Sequence, residues 1–99
     1  MSRIEQFEKM LNTGQDSALL RFSLGNEYLR ADAPQQAVEH LRAAVGHDPG
    51  YSAAWKALGQ ACERCGEVES ALAAYASGVE AAEQRGDKQA AKEMQVYHR

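Results

Sequence analysis

Ninety-nine residues, 44% of them hydrophobic and 25% charged, suffice for one packed domain but not for a cofactor domain joined to a substrate domain, which excludes most large enzymes. The net charge of −3 offers no bulk attraction to nucleic acid or anionic lipid, and no run of about 18 apolar residues is present to span a membrane. Eighteen alanines against seven Val, Ile and Thr residues combined favour helix over strand, so the expected class is all-α; the charged start, Arg3, Glu5 and Glu8, reads as cytoplasmic rather than as a signal peptide.

In chain order, residues 1–14 carry Ile4, Phe7 and Leu11 at helical spacing. Segment 18–51 places Leu20, Leu24 and Tyr28 on one helix face, breaks at Asp32-Ala33-Pro34, resumes with Ala37 and Leu41, and stops at His47-Asp48-Pro49-Gly50. Asp32 is expected to cap the second helix with its carboxylate, and Pro34 to open it. Segment 52–85 repeats the pattern 34 residues later, superimposing Leu24 on Leu58, Gly25 on Gly59, Arg30 on Arg64, Ala37 on Ala71 and Val45 on Val79. Here Trp55, Leu58 and Cys62 form the first face, and Cys65-Gly66-Glu67 gives a glycine stop and an acidic start. Gly25 and Gly59 fall inside helices, where glycine costs about 1 kcal/mol relative to alanine, so close helix approach is the expected compensation. The same frame puts Ile4, Phe7 and Leu11 in the slots of Val38, Leu41 and Val45, so residues 1–14 read as half a repeat. Gly86-Asp87 ends one helix and caps another, and Ala90, Met94 and Tyr97 then recur at helical spacing in a capping segment, 86–99, that lacks the Leu-Gly pair.

The runs Leu24-Gly25-x-x-Tyr28, Ala37-x-x-x-Leu41 and Pro49, followed by Trp55-x-x-Leu58-Gly59-x-x-Cys62 and Ala71-x-x-x-Tyr75, resemble the tetratricopeptide repeat family in a small bacterial-type form with two full repeats and flanking helices. Arg21 replaces the usual Trp, Cys62 the usual Tyr, and Glu83 the usual Pro. The resemblance implies a right-handed superhelix of about six helices over one domain, 1–99, acting as a non-enzymatic adaptor or scaffold that holds a short peptide or partner helix in the concave groove of its first helices. The family's concave positions map to Leu19, Phe22, Ser23, Asn26 and Arg30, and to Ala53, Lys56, Ala57, Gln60 and Arg64. Phe22, Asn26, Arg30, Lys56, Gln60 and Arg64 are the expected contacts: three cations make the face locally positive, favouring an acidic peptide or a free C-terminus, and two amides suit an extended backbone. Phe22 and Ala57 stand where carboxylate-clamp members of the family carry a lysine and an asparagine, so that specificity is not carried over. The competing expectations are a homodimer joined through Phe7, Met10, Met94 and Tyr97, or a small chaperone dedicated to one partner.

Cys62-Glu63-Arg64-Cys65 has no second Cys pair for zinc and lies near a helix C-terminus, where the dipole disfavours a thiolate, so Cys62 is expected in the core. His40, His47 and His98 stand at no spacing that suggests a triad. No catalytic residue, metal or cofactor is expected.

Overall fold

The computed structural model describes residues 2–86 and 88–98; Asp87, expected to cap the last helix, and the side chains of Lys88, Tyr97 and His98 lie outside the described residues. The described chain is all helical: α1 Arg3–Asn12, α2 Ala18–Arg30, α3 Pro34–His47, α4 Ser52–Arg64, α5 Val68–Gln84 and α6 Lys88–His98. Each helix packs on its chain neighbours, and α2, α4 and α6 additionally meet side by side. The result is an extended body of 38 × 28 × 18 Å, the shape expected when each unit touches only the next.

Local chemistry sets the ends. Ser2 and Ser17 cap α1 and α2, their hydroxyls each accepting a backbone N–H at 3.1 Å from Glu5 and Leu20. Helix α2 ends in a Schellman turn: Ala33 N–H donates to the Tyr28 carbonyl at 2.8 Å and Asp32 N–H to that of Leu29 at 3.1 Å. The end of α4 repeats it 34 residues on, Glu67 to Cys62 and Gly66 to Glu63. That turn needs a left-handed residue, and Gly66 supplies it at φ 76°; in the first copy Asp32 does so at φ 58°. The expected capping role of Asp32 is therefore corrected. The N-cap of α3 is Ala33, with no side-chain cap bond, and Asp32 belongs to the end of α2.

The core is a row of large side chains seated on glycines. A Cβ on Gly25 would overlap Leu41, one on Gly59 would overlap the Tyr75 ring, and one on Gly78 would overlap Met94, while Leu41, Tyr75 and Met94 are all fully buried. Close approach is thus what offsets the conformational cost of Gly25 and Gly59. Ala37 and Ala71 are buried in the same seams. Helix α1 differs: it has no buried residue, and its Ile4, Phe7 and Leu11 are only half-buried.

Candidate partner-binding surfaces

The six expected contact residues lie on α2 and α4, which meet directly. Phe22 is half-buried with its ring 4.9 Å from that of Tyr51, so it roofs the core as well as bordering the face. Arg30 donates to Glu27 at 2.8 Å, Lys56 to Glu93 of α6 at 3.0 Å, and Arg64 to the Leu29 carbonyl at 2.9 Å. Each cation thus has a partner within the chain, and the last one satisfies a carbonyl in the final turn of α2. Asn26 and Gln60, 34 residues apart on the two helices, are half-buried, and among the described residues their side-chain amides make no hydrogen bond. Ala57 is buried and belongs to the core. Leu19 is 66% exposed and joins Phe7, Met10, Leu20 and Ser23 around an apolar recess of about 340 Å³ between α1 and α2. Met94 is corrected as a self-association residue, because it is buried over Gly78.

A second constellation, spread over α1, α2, α3 and the first loop, was not expected from sequence. His40, only 7% exposed, stacks on Tyr28 with ring centroids 5.4 Å apart and planes 4° from parallel. Its Nδ1 lies 3.1 Å from Arg21 Nη1 and its Nε2 3.2 Å from Glu8 Oε1. A guanidinium only donates, so Nδ1 accepts and the Nε2 proton points at Glu8. The same carboxylate oxygen accepts the Tyr28 hydroxyl at 3.0 Å. Burial, followed by the bond to Glu8, pushes the Tyr28 phenol up. Arg21 also grips Asp16 through two bonds of 2.9 and 3.1 Å, and His47 Nε2 stands 3.1 Å from the same carboxyl. The Arg21 hydrogen bonds hold Asp16 down to about 2. Of these groups, Asp16 also borders the recess between α1 and α2. Their bonds are spent on one another, and their effect is to fasten α1, which lacks buried contacts, to the array.

One repeat later the corresponding gap, between α3 and α5 over α4, is open. Arg21, Tyr28, His40 and Glu8 correspond to Trp55, Cys62, Ala74 and Arg42. A groove of about 280 Å³ runs there, floored by Trp55, Leu58 and Cys62 and walled by Val45, Ala73 and Ala74. The indole of Trp55 donates to the Pro49 carbonyl at 2.7 Å, which fixes the ring at the groove's end. Burial pushes the Cys62 thiol up against an opposing hydrogen bond from Arg42, so this thiol is held protonated. Among the described residues the two cysteines are free, no cluster of three His, Cys, Asp or Glu side chains is arranged to hold a metal ion, and no helix is long and apolar enough to cross a membrane.

Residues 28–94 match the tetratricopeptide repeat family. A TPR repeat-containing protein of Pseudomonas aeruginosa is 50% identical over 96 residues, which is 97% of this chain and 91% of that protein. The solution structure of a Bordetella parapertussis protein is 44% identical, with a TM-score of 0.83 over 99% of this chain and 85% of the other. The crystal structure of a tetratricopeptide repeat domain protein from Salinibacter ruber is 28% identical, with a TM-score of 0.76 over 84% and 92% of the two chains. Proteins of this fold generally mediate protein–protein interaction and are typically not enzymes. With its glycine-seated helix pairs repeating every 34 residues, the chain belongs to the tetratricopeptide repeat family.

Proposed function

We propose that this protein is an adaptor whose two repeats, 18–51 and 52–85, present the α2 and α4 face to a short peptide or partner helix. The observation that carries the reading is the pair of amides, Asn26 and Gln60, set in register on adjacent helices without side-chain partners. Both amides reach solvent and keep their donors and acceptors available, and an extended peptide backbone offers the alternating acceptors and donors that would pair with them. Phe22 adds an apolar edge. The preference for an acidic segment or a free C-terminus rests on Arg30, whose side chain stays 70% exposed despite its bond to Glu27, since Lys56 and Arg64 are drawn into structural roles. Peptides selected from a random display library against the full chain are expected to lose about tenfold in affinity to a folded Asn26→Ala, Gln60→Ala variant. Selected peptides that bind both proteins equally would refute this face as the working surface.

A further inference from the structure

The groove over Cys62 lies over the two register positions that carry rings one repeat earlier, and the difference in side chains indicates what would fit it. In the first gap, the Tyr28 ring lies flat on the His40 ring and its hydroxyl ends on Glu8. In the second, Cys62 and Ala74, both buried, take the two ring positions, and above them runs the groove of about 280 Å³, open along Trp55, Ser70, Ala73 and Ser77. The polar end is inverted as well, because Glu8, an acceptor, is replaced by Arg42, a donor. Arg42 touches the Cys62 thiol and pairs loosely with Glu67 at 3.9 Å, yet it stays more than half exposed, so most of its guanidinium faces solvent.

We propose that the α3/α5 groove over Cys62 is a docking site for an aromatic side chain of a protein partner that carries a carboxylate beside the ring, the ring seated against Trp55 and Ala73 and the carboxylate on Arg42. The apolar walls favour the ring, and the planar guanidinium matches a carboxylate with two parallel bonds. The groove admits about one anchor side chain, whereas a stable standard interface buries about 800 Å² per partner, so it acts as a single anchoring point. This site lies on a different surface from the Asn26 and Gln60 face and stands or falls independently of it.

The test is a titration of the full-length protein with acetyl-Phe-Glu-amide, followed by backbone amide resonances and by the Trp55 indole signal. Saturation is expected on the order of millimolar, moving Ser70, Ala73, Ala74, Ser77 and the indole. Acetyl-Phe-Gln-amide is expected to bind about fivefold more weakly, and Arg42→Glu to remove that difference between the two probes, with the exposed position of Arg42 sparing the fold. Acetyl-Ala-Glu-amide is expected to leave the groove resonances unmoved. The proposal is overturned if acetyl-Leu-Glu-amide binds as well as the phenylalanine probe, if Arg42→Glu changes nothing, or if the shifts gather on α2 around Asn26. Groove resonances that move with protein concentration alone would assign the site to a second copy and also overturn it.

Discussion

The two inter-helix gaps of this molecule are built on one frame and closed in opposite ways. Between α1 and α3 the gap is filled from within by Tyr28, His40, Arg21 and Glu8, every polar end matched to another. Between α3 and α5 the frame is the same, but Trp55, Cys62, Ala74 and Arg42 leave a groove. The difference shows that the backbone geometry of a repeat is set by its glycine seats, whereas the content of the gap is free to vary. Leu41 on Gly25 and Tyr75 on Gly59 hold the helix pairs in both copies, and the gap residues decide only whether the space beside them is used for stability or left open.

Five substitutions test how differently the parts of the array are held. The largest effect is expected from Tyr28→Ala, which removes the stacked ring and the bond to Glu8; unfolding by denaturant should show a loss of about 2–3 kcal/mol, less than for a fully buried aromatic because Tyr28 is half-buried. Glu8→Gln keeps the shape but removes the charge on an oxygen shared by Tyr28 and His40. It should cost about 1–2 kcal/mol and raise hydrogen exchange in α1 before the rest of the array. Cys62→Tyr copies the first gap into the second. If the groove holds the ring, stability should stay within about 1 kcal/mol of the starting protein, while a larger loss would mean that the two gaps are not equivalent. Asp32→Gly makes the end of α2 like that of α4 and should stabilise by about 0.5–1 kcal/mol, since φ 58° strains an aspartate and not a glycine. The smallest effect is confined to acid. The folded Asp16 carboxyl titrates at about 2, below its ordinary 3.8, so its contribution is fully present above pH 4 and is lost as pH falls through 2. Asp16→Asn should flatten that part of the acid-unfolding curve and leave the curve above pH 4 with the same slope.

The repeat was legible in the chain because its signals are local and doubled. The Leu-Gly pairs, the alanines at 37 and 71 and the breaks at Asp32 and Gly66 recur at one spacing, and the glycine seats explain physically why the Leu-Gly pairs recur. The polar filling of the first gap was not legible. Glu8, Arg21, Tyr28 and His40 come from three helices, Glu8 and His40 look like ordinary surface residues by spacing alone, and only the fold brings the four within hydrogen-bond distance. The one available hint was Arg21 in a slot where the family carries Trp, a charge on an apolar face that demanded a buried partner. The positive character read for the α2 and α4 face was overstated for a related reason. Lys56 and Arg64 are matched by Glu93 and by a backbone carbonyl that no count of charges on one helix would include. Asp32 misled because an acidic residue before a proline signals an N-cap, whereas here the residue closes the preceding helix.

The three glycine seats share one more property: each joins residues sixteen positions apart in the chain, 25 to 41, 59 to 75 and 78 to 94. Core contacts of such short reach close small loops, so little chain entropy is lost before a contact forms, and ordering one hairpin does not wait for distant segments. The array should therefore assemble quickly and in pieces, nucleating wherever a seat first closes and spreading to its neighbours.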